Sequence, residues 1–538
     1  MEDNSLVVDS TIEPERKQVS EKGRIAQSAV VVAFYTVLSR VAGLVRDIVV
    51  FHIFGVSGIT DAFFVAFTIP NILRRFVAEG GLTVAFIPVY LEVKEKEGPE
   101  KARALLSTTL GVLILFLLVL VAVGVLCAKS LVYMFASGFS DSPEKMAVTV
   151  ELTRWLFPYV FFISLVALAM AVLNAHRHFS APAASPIFLN LAMIACPILM
   201  SGWFEEPIFA LAVGVLIGGA LQLVTQVPAL FRHGLLVMPF RYQNWQAFGK
   251  LMRLMLPAVF GMAVYQVNLI VLRQLGSYLP DGQISYYYNA DRLMQFALGV
   301  FAISIATAVL PSMSRQTAQG DNKALCNTWA YSTNLTNFIT IPAALGLCAI
   351  SVPLVSVLYL HGQFSYYDVE MTAFTTMAFA PSLIAIAMSR STIQVFYALE
   401  DMRTPVWVGL FAVALNVGVG LLLRRYEVIG LALTLSISSW AQTIILMALL
   451  YRRLPALNMK GVLNSIAWQL FISLVAVSAS ALVVSFGTWS DGPTGTNIFL
   501  FSASLIAAIV LYFLSATVFG LEEMSTVRKA LLKRKTKL

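Results

Sequence analysis

Residues Ser39–Gly80 read SRVAGLVRDIVVFHIFGVSGITDAFFVAFTIPNILRRFVAEG, and most of them are apolar enough to lie inside a lipid bilayer. The stretch nevertheless carries a series of charged side chains, namely Arg40, Arg46, Asp47, Asp61, Arg74, Arg75 and Glu79. One charge at the middle of a bilayer costs roughly 3 kcal/mol on insertion scales. A helical hairpin with this many charges therefore predicts a polar, water-filled cavity between helices.

The composition of the whole chain places it among integral membrane proteins. Of the 538 residues, 58% are hydrophobic and only 12% are charged, with a mean hydropathy of +0.79. A soluble domain carries about 25% charged residues, so the deficit of charge excludes that class. Apolar runs of helical length recur along the chain, whereas barrel strands need only about 10 alternating residues. We therefore predict an all-α polytopic membrane protein.

The apolar runs predict fourteen transmembrane helices. They lie at about 27–54, 57–78, 102–128, 150–175, 182–204, 207–230, 251–274, 282–309, 325–351, 369–396, 404–423, 428–451, 461–487 and 496–520. With the N-terminus inside, most of the 37 Lys and Arg residues fall in inner segments, which predicts that both termini are cytoplasmic. The net charge of +8 is thus a topology signal, and no nucleic-acid partner is expected. The polar tail 1–24 and the basic tail 523–538 are expected at the inner surface.

A constant shift along the chain aligns its two halves. The shift places Pro88 on Pro311 and Pro158 on Pro381, and NAHRHFSAP (174–182) falls on YALEDMRTP (397–405). A slightly shorter shift near the end of each unit places Arg232 on Arg452. We therefore predict two pseudo-symmetric six-helix lobes, 25–232 and 233–455, followed by two C-terminal helices in 456–522. Parallel repeats of this kind form transporters in which the lobes rock around a central site.

Arginine is the informative residue type in the predicted cavity. Arg40 lies roughly 20 Å along the first span, and Arg292 lies roughly 15 Å along the eighth, at 1.5 Å per residue. A guanidinium stays charged when buried and binds phosphate oxygens in a bidentate manner. Arginines from both halves therefore indicate an anionic substrate, for which a diphosphate would fit. The candidate binding residues from this argument are Arg40, Arg46, Arg74, Arg75, Asp291 and Arg292.

Structural pairing is the alternative for each of these charges. Arg46 could pair with the adjacent Asp47 and Arg292 with the adjacent Asp291, while Arg74 and Arg75 could extend to the inner surface from a span end. The four cysteines and five histidines have no metal-ligand spacing, and no Walker-type glycine loop is present. We therefore predict no metal, no cofactor, no catalytic residues and no direct use of ATP.

Several motifs resemble the MurJ/MviN family, the lipid II flippases of the multidrug/oligosaccharidyl-lipid/polysaccharide exporter superfamily. The motifs are SRVAGLVRD (39–47), TDAFFVAFTIPNILRRFVAEG (60–80) with AFIPVY (85–90), YYYNADRLMQF (286–296) and FYALEDMRTP (396–405). The resemblance covers about residues 25–520. It implies that the two C-terminal helices line a groove for a lipid tail. It also implies arginines needed for transport and further cavity positions, which correspond here to Arg40, Arg46, Arg74 and Arg292, and to Asp61 and Ser285.

The function implied by the resemblance is the movement of lipid II, the undecaprenyl-diphosphate-linked disaccharide-pentapeptide, from the inner to the outer leaflet of the bacterial cytoplasmic membrane. The chain would act as a monomer and not as an enzyme. Gln295 departs from the glutamate that the family commonly has, which puts any role for a charge there in question. The alternatives are an exporter of another lipid-linked glycan, a drug antiporter, or a membrane enzyme acting on such a lipid.

Overall fold

The computed structural model describes residues 12–76 and 83–525. Most of the predicted N-terminal tail 1–24 and C-terminal tail 523–538 lies outside the residues whose side chains are described. The helices are α1 (Ile12–Phe54), α2 (Gly58–Arg74), α3 (Thr83–Lys96), α4 (Pro99–Leu126), α5 (Ala128–Ala136), α6 (Pro143–Leu156), α7 (Tyr159–Ala175), α8 (Ser180–Met200), α9 (Phe209–Val224), α10 (Val227–Arg232), α11 (Trp245–Ser277), α12 (Gln283–Ala318), α13 (Asn322–Tyr359), α14 (Tyr366–Ala398), α15 (Arg403–Leu423), α16 (Glu427–Arg453), α17 (Met459–Val484) and α18 (Gly495–Val518).

A helix overlaps each of the fourteen predicted spans. Backbone polar groups have no water to bind inside a bilayer, so a long apolar run satisfies them within a helix. Among the described residues, nine helical segments are long and apolar enough to cross a membrane, and one of these, Arg403–Arg453, contains two predicted spans. The spans that fall short of this criterion include α1, α2 and α12, which carry the candidate charges. The count of fourteen crossings stays a prediction.

Exposed apolar side chains identify the lipid-facing surfaces of the outer helices. On α4, Leu115, Phe116 and Val119 are each more than half exposed. Only 11% of the most apolar window of α18 is buried inside the protein. Large apolar faces of this kind are rare on soluble monomers and are compatible with contact to lipid tails.

The chain forms two compact units that are not simple halves of the sequence. Unit 1 comprises Met1–Arg46, Pro70–Leu126 and Arg154–Gly261, and unit 2 comprises Asp47–Ile69, Cys127–Thr153 and Met262–Leu538. The boundary between the units therefore falls within α1, between Arg46 and Asp47.

Unit 1 is built on the packing of α3 and α4 against α7. Phe86 and Leu105 are fully buried in this core, as is Val172 to within 1%. The structure places a separate helix, α3, at 83–96.

Unit 2 is built on α12, α13, α14 and α16. Phe379 and Leu383 of α14 are fully buried in one core, and Trp329 of α13 is fully buried in another. The C-terminal helices α17 and α18 pack on α13 through Phe338, Ile472 and Tyr512. The Tyr512 hydroxyl donates to the Phe338 carbonyl at 2.6 Å, so the polar tip of this tyrosine is satisfied within the apolar contact.

The loops that follow α7 and α14 have the same backbone conformation. Arg177 and Glu400, which the shift along the sequence aligns, both have a φ of +59°. The next residue closes the helix end in both loops, since His178 N donates to Leu173 O and Asp401 N donates to Phe396 O, each at 2.9 Å. This is the six-to-one hydrogen bond of a Schellman motif, in which glycine is the usual left-handed residue. The duplicated sequence thus retains a shared local geometry.

Candidate functional site

Asp61 of α2 closes the N-terminus of α12 from another part of the chain. Its side chain is 1% exposed. One carboxylate oxygen accepts from Gly282 N at 2.8 Å, and the other accepts from Ser285 N at 2.8 Å and from Ser285 Oγ at 2.7 Å. The first turn of a helix has unpaired N–H groups and a partial positive charge, and a carboxylate satisfies both. Gly282, which precedes α12, has no side chain with which to do so itself.

Lys145 balances the charge of this buried carboxylate. Its Nζ lies 3.4 Å from Asp61 Oδ2 and 2.7 Å from Asp281 Oδ1. The ammonium also lies 4.0 Å from the centre of the Phe139 ring, and the side chain is 9% exposed. Asp61 and Ser285, two of the predicted substrate-binding residues, therefore bind each other and belong to a hydrogen-bonded network within unit 2. Their contact with substrate stays a prediction.

Arg292 of α12 forms an ion pair with Asp47 of α1. Arg292 Nε donates to Asp47 Oδ2 at 3.0 Å, and the side chains are 38% and 4% exposed. The adjacent Asp291 accepts a hydrogen bond from Gln295 Nε2 at 2.6 Å, one helical turn further along. An aspartate that accepts from Nε fixes the orientation of the planar guanidinium group, and so also the direction in which its two terminal nitrogens point. Asp47 is therefore suited to position Arg292.

Arg46 of α1 lies within unit 1 and donates to a buried asparagine of α8. The side chain of Arg46 is 6% exposed, and its NH1 donates to Asn190 Oδ1 at 3.1 Å. Asn190 Nδ2 donates in turn to the Ser39 carbonyl at 3.2 Å. The second contact fixes the amide so that its oxygen faces the guanidinium. Asn190 thus connects α8 to two positions on α1.

The remaining predicted arginines also belong to unit 1. Arg40 is half-buried on α1, six residues before Arg46. Arg74 Nε donates to Asn71 Oδ1 at 3.3 Å, and Arg75 is half-buried beside it at the end of α2. The buried hydroxyl of Tyr159 lies within electrostatic range of both Arg46 and Arg74. Unit 1 therefore brings these two arginines towards one tyrosine.

Three charged or polar residues of these networks were not among the sequence candidates. Lys145 lies on α6, and Arg273 lies on α11 within 5.9 Å of the Tyr287 ring centre. Arg273 also interacts electrostatically with Asp291. Asn190 was not singled out, although a lone asparagine in the apolar run SPIFLNLAM (185–193) was a signal that could have identified it.

The chemistry of these groups suits anion binding more than bond making. Guanidinium groups on helices within an apolar environment attract phosphate more strongly than they do in water, because the effective dielectric constant is lower. Within residues 12–76 and 83–525, no group of three His, Cys, Asp or Glu side chains is placed to hold a metal ion. The described charges instead form hydrogen-bonded pairs that orient arginine side chains.

Removing the Asn190 amide should destabilise the protein measurably. Asn190→Ala deletes a buried hydrogen bond to the charged Arg46, and we expect the free energy of unfolding to fall by about 1.5–3 kcal/mol. Asn71→Ala, which removes one hydrogen bond of the half-buried Arg74, is the matched control and should cost less. Unfolding of both purified variants in detergent would be followed by intrinsic fluorescence. Equal losses of unfolding free energy in the two variants would contradict the buried hydrogen bond between Asn190 and Arg46.

Comparisons with known proteins agree on one family. A sequence model described as "MurJ: Lipid II flippase MurJ" matches residues 50–501. A curated relative from Vibrio cholerae, "Probable lipid II flippase MurJ", is 33% identical over 475 residues, which cover 86% of this chain and 89% of the relative.

Solved structures of similar fold include a member of the same family. The structure "Lipid II flippase MurJ, inward closed conformation" matches with a TM-score of 0.76 and 25% identity, covering 91% of this chain and 98% of that one. An inward-facing multidrug resistance MATE family transporter of the MOP superfamily matches with a TM-score of 0.67 and 13% identity, covering 80% and 98%. The second likeness concerns the fold alone. The predicted all-α, multi-pass class is thereby confirmed.

Proposed function

Because the chain belongs to the MurJ family of lipid II flippases, we propose that it moves lipid II from the inner to the outer leaflet of the bacterial cytoplasmic membrane by alternating access. The family consists of transporters, so the alternative of a membrane enzyme is set aside. Both termini lie in the cytoplasm in this proposal, and the working unit is a monomer. The bias of Lys and Arg along the sequence supports that orientation.

The observation that carries the proposal is that each unit has arginines, on helices predicted to span the membrane, with polar partners that orient them. Arg46 is held by Asn190 in unit 1, and Arg292 is held by Asp47 in unit 2. Lipid II combines an anionic diphosphate with a tail that prefers the bilayer. Charge-assisted hydrogen bonds from guanidinium groups replace the water that such a head group loses on leaving the surface.

The candidate residues have two roles in this proposal. The diphosphate is bound by arginines, with Asp291 beside them, and these residues are Arg40, Arg46, Arg74, Arg75, Asp291 and Arg292. Asp61 and Ser285 contribute by fixing the start of α12, the helix that carries Asp291 and Arg292. The hydrogen bonds that Asp61 makes at the N-terminus of α12 support this second role.

Complementation tests the proposed substrate directly. Bacteria depleted of their own lipid II flippase would express this chain, and both growth and externally accessible lipid II would be measured. We expect rescue together with the return of lipid II to the outer leaflet, and loss of both with Arg292→Ala. Normal amounts of membrane-inserted protein without rescue would contradict lipid II as the substrate and favour another polyprenyl-diphosphate-linked glycan.

A further inference from the structure

The loop after α14 is fastened to the end of α16 by an ion pair. Arg453 NH2 lies 2.6 Å from Asp401 Oδ2. Burial alone would raise the pKa of the Asp401 carboxyl, but hydrogen bonds from Thr404 and the charge of Arg453 hold that pKa below its usual value. The carboxylate is therefore ionised throughout the neutral range, and the fastening does not respond to pH there.

The corresponding loop after α7 is fastened by two imidazoles. The shift that aligns the two halves places His178 on Asp401, and the shorter shift near the end of each unit places His233 on Arg453. The rings of His178 and His233 lie 5.1 Å apart between centroids with an interplanar angle of 60°. Where unit 2 has an ion pair between Asp401 and Arg453, unit 1 has two imidazoles in contact.

The groups around the two imidazoles include further cations. His178 faces His233 and Arg232 of the α10 end and accepts or donates a hydrogen bond with Ser180 Oγ at 3.2 Å. His233 Nδ1 donates to the Ala229 carbonyl at 2.8 Å. The neighbouring His176 faces Lys94 of α3 and His233, and its Nε2 lies 3.1 Å from the Tyr90 hydroxyl.

We propose that the contact between His178 and His233 is a pH-sensitive fastening of the loop 176–180 to α10. It is closed while His178 is neutral and opens when that imidazole becomes protonated beside Arg232 and His233, whereas the Asp401–Arg453 fastening of unit 2 stays closed. The inference goes beyond the proposed function, since it concerns the response of one unit to pH on the side predicted to be cytoplasmic.

The direction of the effect follows from the surroundings. Burial, followed by the neighbouring His233 and Arg232, lowers the pKa of His178, and burial with Lys94 and His233 lowers that of His176. The folded loop therefore favours the neutral forms of His176 and His178. Its stabilisation is complete above the ordinary histidine pKa of 6.5 and is lost as the pH falls below that value.

Hydrogen exchange of the full-length protein in lipid nanodiscs tests the fastening. Protection of the 176–180 loop would be measured between about pH 5.5 and 8, the interval in which histidine titrates. The aligned segment 399–403 serves as an internal reference, because its intrinsic exchange rate changes with pH in the same way. We expect severalfold weaker protection of the first loop at the acidic end, relative to the reference.

Two variants separate the histidine contact from other effects of pH. The double variant His178→Asp with His233→Arg installs the ion pair of unit 2 and should abolish the pH response. His178→Gln with His233→Gln keeps a neutral contact at every pH and should do the same if the first variant does not fold. A wild-type loop with pH-independent protection, or a response that persists in a folded variant, would overturn the proposal.

Discussion

Replacing Arg292 by glutamate should abolish the rescue of flippase-depleted cells while the protein stays inserted in the membrane. The substitution exchanges the guanidinium proposed to bind the diphosphate for a carboxylate, and it sets two acids against each other at Asp47. We expect accessible lipid II to fall to the level of cells without the protein. Arg292→Lys should retain partial activity, because an ammonium keeps the charge but not the bidentate fork.

A charge swap distinguishes substrate binding from a purely structural ion pair. The double variant Asp47→Arg with Arg292→Asp restores the pair but moves the cation from α12 to α1. If Arg292 acts on substrate, the swap should restore protein amount without restoring growth. Full growth with the swap would show that the pair is only structural. Arg425→Glu is the matched control on an exposed arginine and should leave growth unchanged.

Replacing Asp61 by alanine should lower the free energy of unfolding by about 3–5 kcal/mol, the range for removing one partner of a buried ion pair. The variant leaves the amides at the start of α12 and the buried ammonium of Lys145 without their shared acceptor. Denaturant unfolding of the purified protein in detergent would give the value.

Two milder substitutions in the same network serve as controls for Asp61→Ala. Ser285→Ala removes one hydroxyl donor but keeps the backbone amide, so we expect a loss of about 1 kcal/mol. Asp281→Asn removes the other partner of Lys145 at a position that is 70% exposed, so the loss should be under about 1 kcal/mol. A loss for Asp61→Ala no larger than that for Asp281→Asn would contradict the role of Asp61 as the cap of α12.

The sequence predicted the most apolar helices well because each of them is a long apolar run. Such a run is a local property, and a helix is the form in which its backbone can lie in a bilayer. The candidate arginines were likewise visible, since a charge in an apolar run stands out in composition. The alignment of NAHRHFSAP with YALEDMRTP indicated that the loops at Arg177 and Glu400 correspond to each other.

The partners of these charges could not be predicted, because they lie far away in sequence. Arg46 and Asp47 are adjacent and invite an interpretation as one pair, but successive helical side chains point about 100° apart. The structure has Arg46 donating to Asn190 and Asp47 accepting from Arg292. Arg273 lies at the end of the predicted span 251–274, and the neighbours that give it a place in the site, Tyr287 and Asp291, belong to another helix.

The long separation between Asp61 and the helix it caps has a consequence for biosynthesis. Gly282 follows Asp61 by 221 residues, which a ribosome at about 5–20 residues per second needs roughly 10 to 45 s to make. Lys145 follows by only 84 residues and is made after roughly 4 to 17 s. Among the described partners of this carboxylate, the lysine is therefore the first to leave the ribosome. The Lys145 ammonium is therefore available to pair with the Asp61 carboxylate during membrane insertion, before α12 has been synthesised.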